Sequence, residues 1–309
     1  MDFKKKIYIL LAVGIFFLSL SGILIKIASA PPLITAFYRM FFTVLLLSPY
    51  FLIKHRNKAR YFLDYRPLLV GFLLAVHFIL WISSIQYTDI SNSVIFVALQ
   101  PLFTIILEYL FAREDLKEGA VIGIVMAVIG SSIISIGDFY QLGDKLFGNF
   151  LALSAALFAS SYLFIGRGVR KKLDYFPYLY ILYTYAAVFL AVGVYFFDIP
   201  FTGYGTNNYL IFLGLAVGPT LIGHSILNLA VRYLPTSIVS LSILGEPILT
   251  TFLAWLLLNE QVRLTTMIGG VFILGGIYLA SVYNNHQKKK QQKLKNSYNY
   301  LVILTNLNK

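Results

Sequence analysis

The stretch of residues 87–135 recurs 146 residues later, at 233–281, and the two copies align without a gap. Twelve of the 49 aligned positions are identical. Shared hydrophobicity explains the identical Leu, Ile and Val residues, but not a proline, a glutamate and two glycines in register. These pairs are Pro101/Pro247, Glu114/Glu260, Gly123/Gly269 and Gly130/Gly276. Because the spacing is close to half of the 309 residues, the repeat indicates a duplicated module and not a solenoid of short units.

Charged residues make up only 12% of the chain, and hydrophobic residues make up 59%. In soluble domains, about a quarter of all residues are charged. So few charges exclude a water-soluble surface and indicate an integral membrane protein, whose apolar exterior contacts the lipid bilayer. The chain contains no cysteine, which excludes disulfides and thiolate metal or redox sites, and we expect no cofactor.

Ten apolar segments are long enough to cross a bilayer as helices, five in each half of the chain. Their approximate bounds are 7–25, 33–53, 67–86, 91–112, 119–136, 146–166, 176–197, 208–231, 236–258 and 265–283. The predicted fold is an all-α integral membrane protein with ten transmembrane helices. It divides into a first five-helix repeat (1–140), a second five-helix repeat (141–284) and a basic cytoplasmic tail (285–309).

The first segment also has features of a signal peptide, because Ala28, Ser29 and Ala30 could form a cleavage site. We favour a membrane span, since Pro31 would follow the cut and since the second repeat contains a counterpart of this segment.

Basic residues are distributed unevenly over the predicted loops. With a cytoplasmic N-terminus, 21 of the 25 Lys and Arg residues lie on the cytoplasmic side, and only Lys145 and Arg263 lie on the outer side. This asymmetry predicts a plasma-membrane protein with both termini in the cytoplasm. It also accounts for the formal charge of +12 without a nucleic-acid partner. Because each repeat has five spans, an odd number, the second repeat begins on the opposite side of the membrane from the first. The repeats are therefore predicted to be inverted about an axis in the membrane plane.

Short motifs in both copies resemble the EamA family of drug/metabolite transporters. They are Leu244-Gly245-Glu246-Pro247 and Asn259-Glu260 before a glycine-rich last span, Gln100-Pro101, Arg113-Glu114 and Gly123 in the first copy, and Tyr38-Arg39. The resemblance covers residues 7–283. It implies an inverted-repeat transporter with a central cavity lined mainly by spans 1–4 and 6–9. Family members move amino acids, nucleotide-related metabolites, sugars or xenobiotics, so the resemblance implies no particular substrate.

Glu246 lies near the middle of the ninth predicted span, where a carboxylate is costly and is a functional candidate by default. Gln100 occupies the matched position in the first copy, and a proline follows each of them. Proline removes a backbone donor, and substrate sites of inverted-repeat transporters form at such interrupted helices. We expect both residues to line one cavity, with Glu246 binding substrate or a coupling proton. In the alternative interpretation, Glu246 only packs against a neighbouring helix.

Arg39 lies about one third of the way into the second predicted span. It could bind a substrate carboxylate or phosphate through two hydrogen bonds, or it could form a structural ion pair, for which Glu246 is a candidate partner. Its neighbour Tyr38 is a further candidate for substrate contact.

Two polar pairs occupy nearly equivalent sites of the copies, each with a spacing of one helical turn. They are His77 with Trp81 in span three, and His224 with Asn228 in span eight. Such pairs suit a cavity wall, and a histidine could relay protons. The alternative is a core histidine bonded to a backbone carbonyl.

Other repeated or polar residues are predicted to be structural. Ser19 and Ser160 lie in matching parts of spans one and six, where small residues let helices approach. Gly123 and Gly269 are predicted to serve close helix packing. Glu114 and Glu260 are predicted to cap the helix that follows each of them.

The sequence favours a secondary transporter, and more specifically an exporter, of small organic or amino-acid-like metabolites by alternating access. It contains no G-x-x-x-x-G-K-[ST] loop for ATP and no His-Glu-x-x-His or Gly-x-Ser-x-Gly motif, so an enzyme is not expected. A channel is the other alternative, although it would need a continuous polar filter.

Overall fold

The computed structural model of the chain describes residues 3–112, 116, 118–139, 144–170, 172–234, 239 and 242–282. Throughout these ranges the regular structure is helical, without a strand. Nine helical stretches of the described residues are long and apolar enough to cross a bilayer, if the two that are interrupted count as one each, which confirms a helical, multi-pass membrane protein. The predicted span 236–258 falls partly outside the described residues, and its described part includes the 14-residue helix Gly245–Leu258.

The helices alternate with short connections along the chain. Their bounds are α1 Phe3–Ile27, α2 Pro32–Lys54, α3 Tyr65–Tyr87, α4 Ile90–Val97, α5 Gln100–Ala112, α6 Glu118–Phe139, α7 Asp144–Arg170, α8 Tyr175–Phe196, α9 Thr206–Leu215, α10 His224–Tyr233, α11 Gly245–Leu258 and α12 Leu264–Val282. A 3-10 helix, Arg56–Leu63, follows α2, and a π-helix, Ala216–Gly223, joins α9 to α10.

Among the spans that the structure describes in full, the fourth and the eighth are interrupted near their middle. The fourth span divides into α4 and α5 at residues 98–99, because Pro101 has no N–H to donate to the carbonyl of Val97. The repeated proline predicted this interruption. The π-helix in the eighth span contains Pro219, which likewise removes a donor from the regular ladder. The π-helix was not predicted from the sequence.

Long helix contacts hold the bundle together. Helix α3 lies along α7, and α2 lies along α8. The first helix packs against the π-helix, α10 and α11, as expected for a span of the bundle. The largest buried cluster combines apolar side chains of α1, α2, α3, α7 and α8.

Helices α6 and α12 approach each other at two pairs of glycines. A Cβ placed on Gly123 would lie 2.5 Å from the carbonyl oxygen of Gly276, and one on Gly276 would lie 2.6 Å from that of Gly123. Gly130 and Gly269 face each other in the same way, at 2.5 Å in both directions. These distances leave no room for a side chain, so the four glycines bring the two backbones into contact.

Candidate functional site

A cavity of about 390 Å³ lies between the α4–α5 interruption and the start of α11. The same short segment of each copy lines it: Val97, Ala98, Gln100 and Pro101 from the first, and Ile243, Leu244, Glu246 and Pro247 from the second. All four pairs obey the 146-residue spacing. Gln100 and Glu246 therefore line one cavity from two helices, and they give its two matched walls different charges.

Serine hydroxyls connect these two walls to helices of the other copy. Ser160 of α7 donates to the carbonyl oxygen of Gln100 at 2.7 Å, and Ser19 of α1 donates to that of Glu246 at 3.3 Å. Ser19 also accepts a hydrogen bond, through its carbonyl, from Thr250 at 3.1 Å. The predicted close approach of helices at Ser19 and Ser160 thus includes a direct hydrogen bond to each of the two cavity walls.

A second cavity, of about 740 Å³, adjoins the first at Gln100 and Glu246. It extends to the end of the bundle at the α7–α8 connection, called here the Arg170 end, where Arg167 and Arg170 line it. The Arg170 guanidinium lies 4.8 Å from the ring centroid of Tyr175. The wall also carries Tyr162, Tyr178, Tyr183, Thr220 and His224. The combined space is lined mainly by aliphatic and aromatic side chains, with one carboxylate at its junction.

Arg39 lies in the core beside this cavity, with only 2% of its surface exposed. Its Nε donates to Thr220 at 3.0 Å, and its Nη1 donates to Ser21 at 3.1 Å. Its Cζ lies 4.6 Å from the ring centroid of Phe78, so hydroxyl groups and an aromatic face hold the charge. Both Arg39 and Glu246 are described, and no ion pair joins them. The alternative of a structural Arg39–Glu246 pair is therefore not what the structure shows.

His77 and Trp81 of α3 lie side by side, with ring centroids 5.9 Å apart and an angle of 19° between the rings. The Nδ1 atom of His77 donates to the carbonyl oxygen of Ala155 at 2.9 Å, because a carbonyl can only accept. His77 thus makes the backbone contact of a core histidine. Trp81 lines the smaller cavity, and its Nε1 has no hydrogen-bond partner among the described residues.

The other three predicted site residues occupy different positions. His224 lines the larger cavity. Asn228 lies in α10, and its side chain falls outside the described residues. Tyr38 donates to the carbonyl oxygen of Phe201 at 2.8 Å and stacks on Phe212 with centroids 5.1 Å apart, in an aromatic cluster away from both cavities.

The opposite end of the bundle, called here the Asp138 end, is joined by charged and amide groups. Asp138 is 1% exposed and accepts hydrogen bonds from Asn92 at 2.8 Å, Asn149 at 2.6 Å and Arg263 at 2.8 Å. Asn92 in turn accepts from Thr266 at 2.7 Å. This network connects α4, α6, α7 and α12.

Two further contacts of charged side chains lie at the Asp138 end. Lys145 donates to both carboxylate oxygens of Asp89, at 2.8 and 2.7 Å. Glu260 accepts from the backbone N–H of Ile90 at 2.9 Å and of Ser91 at 3.0 Å, and from the Ser91 hydroxyl at 2.6 Å. Glu260 therefore caps α4, and the prediction that it caps the following helix is wrong. A helix N-terminus with free N–H groups attracts a carboxylate whatever its place in the sequence. Glu114 lies outside the described residues.

Several residues of these sites were not predicted from the sequence. Tyr178 and Tyr183 line the larger cavity, and the available signal was a run of tyrosines in one apolar span, because tyrosine combines an apolar ring with a polar tip. Asn92 and Asn149 gave a weaker signal in the sequence, because they are only amide residues near the ends of apolar segments.

Comparison with known proteins agrees with this architecture. The sequence pattern of the EamA-like transporter family matches residues 5–136 and 146–282. This chain belongs to that family. An uncharacterized transporter of Clostridium kluyveri is 27% identical over 220 residues, which are 69% of this chain and 68% of that protein. An uncharacterized transporter of Methanothermobacter thermautotrophicus is 26% identical over 227 residues, 70% of this chain and 64% of that protein.

One solved crystal structure of a protein matches the EamA-like chain with a TM-score of 0.61 at 17% identity. The match covers 90% of this chain and 98% of the other. At that identity the likeness shows the fold alone. Together with the transporter names of the sequence relatives, family membership gives this multi-pass membrane protein a transporter role.

Proposed function

We propose that this protein is a secondary transporter that exports small organic or amino-acid-like metabolites across the plasma membrane by alternating access. The observation that carries the proposal is the smaller cavity, whose walls are the matched segments 97–101 and 243–247 of the two copies. A site between two equivalent walls can be approached from either side as the copies exchange conformations. Glu246 gives that site a half-buried carboxylate.

The proposed topology has ten spans in two inverted repeats, with both termini in the cytoplasm. The reciprocal glycine pairs of α6 and α12 support it, because Gly123 meets the counterpart of Gly130, and Gly130 meets the counterpart of Gly123. The serine contacts support it as well, since Ser160 and Ser19 bond to the matched residues Gln100 and Glu246. A two-fold axis between the copies would produce both patterns.

The proposed resting state is open towards the cytoplasm. The larger cavity reaches the Arg170 end, and the uneven distribution of basic residues assigns this end to the cytoplasm. The Asp138 end carries the hydrogen-bond network, which closes the outer side. Export would then begin with binding from the cytoplasm and continue when the network at the Asp138 end separates.

We assign the central role to Glu246, which would bind a cationic group of the substrate or a coupling proton. Gln100 would supply an amide on the matched wall, and His224 would contact substrate in the larger cavity. Arg39 would act through its positive charge and through the positions of Phe78 and Trp81. Roles of Tyr38, His77 and Asn228 in substrate binding remain predictions of the sequence alone.

Flux in proteoliposomes tests the proposal. Vesicles containing the protein are loaded with a pool of metabolites that includes the amino acids, and efflux and counter-exchange are followed by mass spectrometry over a range of pH. We expect saturable efflux that counter-exchange accelerates, and we expect Glu246→Gln to abolish the efflux or its pH dependence. Asp144→Asn, an exposed carboxylate-to-amide change at the start of α7, is the matched control and should leave flux unchanged.

Other outcomes would decide against the proposal. Flux that neither saturates nor counter-exchanges would indicate a channel, and chemical conversion of a pool member would indicate an enzyme. Wild-type flux and an unchanged pH profile in a folded Glu246→Gln protein would make Glu246 a packing residue.

A further inference from the structure

We propose that the indole N–H of Trp81 donates a hydrogen bond to an acceptor group of the substrate, and that Trp81 is thereby a specificity-determining residue. The proposal rests on the proposed transport function and deepens it. Together with Glu246, it defines the substrate class as small molecules that carry an amine and, close to it, an oxygen acceptor such as a carboxylate.

The first observation is an unpaired, buried donor on a residue that lines a ligand-sized space. Trp81 is 6% exposed, and its Nε1 atom is buried without a partner among the described residues. A buried indole N–H usually finds an acceptor, because leaving it unpaired costs free energy. Trp81 lines the smaller cavity, together with Gln100 and Glu246. A ligand in that cavity can supply the missing acceptor once the side chains that cover Nε1 move aside.

The second observation is that the indole is held from its other sides. The ring of His77 stacks on it, and His77 itself is fixed by its hydrogen bond to the carbonyl oxygen of Ala155. Phe78 packs against it with ring centroids 6.4 Å apart. The Cζ atom of Arg39 lies 5.6 Å from the indole centroid. These contacts hold the indole ring in place, so an acceptor that reaches the N–H must displace the side chains that cover it and not the ring itself.

The third observation is the arrangement of charge around the cavity. The fully charged guanidinium of Arg39 lies beside Trp81 and contributes a positive potential there. The carboxylate of Glu246 lines another part of the same cavity. A molecule with a negative or carbonyl oxygen near Trp81 and an amine near Glu246 would match both charges. A simple alkylamine would satisfy Glu246 but leave the indole N–H unpaired.

The chain offers a direct optical test, because it contains only two tryptophans, Trp81 and Trp255. Trp255 is 54% exposed on α11, beside Phe252 and away from both cavities. In Trp255→Phe protein, Trp81 is therefore the sole indole. We expect a pool of non-aromatic α-amino acids to change its fluorescence in a saturable way. A pool of alkylamines of the same chain lengths should bind about tenfold more weakly or worse.

A second change isolates the N–H from the ring. Trp81 in the Trp255→Phe protein is replaced biosynthetically by 3-benzothienylalanine, which keeps the shape of the indole but has sulfur in place of the N–H. Trp81→Phe is the genetically encoded counterpart. Pool binding is then measured by protection against thermal unfolding in detergent, which needs no tryptophan. Both changes should reduce the discrimination between amino acids and alkylamines to within about threefold, because the donor is lost.

Each result has a definite meaning. Equal responses to both pools, no response to either, or unchanged discrimination by the benzothienyl protein would overturn the role of Trp81. If counter-exchange of metabolites persists in such a case, the transport function stands and only this inference fails. If no member of the metabolite pool is exchanged by the unmodified protein, the proposed function itself fails.

Discussion

The Asp138 end and the Arg170 end of the bundle differ in how their charges are paired. At the Asp138 end, one buried carboxylate receives three hydrogen bonds from three different parts of the chain, and Glu260 receives three more. At the Arg170 end, Arg167 pairs with Glu108, while Arg170 lies against an aromatic ring at the edge of a cavity. One end is joined across helices, and the other is open to a space of about 740 Å³.

The polar contacts of the Asp138 end explain how a closed end can be held by many bonds and still separate. Hydrogen bonds contribute modest net free energy, since water replaces them when the groups separate. A closure made of polar contacts can therefore open at a smaller cost than one made of interdigitated apolar side chains. The apolar helix contacts between α3 and α7, and between α2 and α8, would stay together while the ends change.

The largest expected effect comes from removing the carboxylate at the centre of the network. Asp138→Ala leaves Asn92, Asn149 and Arg263 without their shared acceptor. Because loss of one partner leaves buried polar and charged groups unpaired, we expect the free energy of unfolding to fall by about 3 kcal/mol or more. Thermal unfolding in detergent measures the change. Asp138→Asn, which keeps one acceptor oxygen, should lose clearly less, and equal losses would contradict the role of the hydrogen bonds.

The second-largest effect is expected between the two ends, at the contact of α6 and α12. Gly123→Leu forces a side chain against the backbone of Gly276, so the helices must separate. We expect a loss of about 1–3 kcal/mol, seen as a lower folded yield and a lower unfolding temperature. Gly168→Leu is the matched control, because a Cβ at Gly168 meets nothing within 4 Å. A stable Gly123→Leu protein with an altered substrate profile would show that this contact belongs to the binding site.

The sequence was sufficient for the helical membrane class and for the helix interruption before Pro101. Long apolar runs and a repeated proline are local signals, and their physical consequences do not depend on the rest of the fold. The presence of Gln100 and Glu246 on one cavity was also within reach, because the repeat relates them.

The contacts of the Asp138 end were not predictable in the same way. Glu260 and Ser91 are 169 residues apart, and Thr266 and Asn92 are 174 apart. Neither periodicity nor a motif links such residues. The prediction for Glu260 was wrong because it considered only the nearest helix in the sequence, whereas the carboxylate caps the helix that lies nearest in space. Tyr38 and His77 show the same limit, since their hydrogen bonds go to distant backbone carbonyls.

An intermediate effect is expected when Glu260 loses its charge. Glu260→Gln weakens charge-assisted hydrogen bonds to the start of α4, so the Asp138 end should open more often, by about tenfold. The chain has no native cysteine, and Ala98→Cys places a single thiol on the smaller cavity. Labelling of this thiol by a membrane-impermeant reagent, added at the Asp138 side, measures the opening.

Two comparisons control the Glu260 experiment. Ser91→Ala removes only the hydroxyl donor and should raise labelling by about threefold, less than Glu260→Gln does. Unfolding temperatures are recorded in parallel, because general loosening would raise labelling from both sides. Labelling that stays at the background level in Glu260→Gln protein would mean that this contact does not hold the end closed.

The smallest effect is expected for the ion pair of Lys145 and Asp89. Their side chains are 25% and 23% exposed, unlike the buried Asp138, so water and salt screen their attraction. Lys145→Met should therefore lower the free energy of unfolding by about 1 kcal/mol or less, and the difference from wild type should shrink further at high salt. Thermal unfolding at low and high salt measures both quantities. A loss as large as that of Asp138→Ala would show that an exposed contact contributes as much stability as a buried one. The whole Asp138 end would then unfold as one unit.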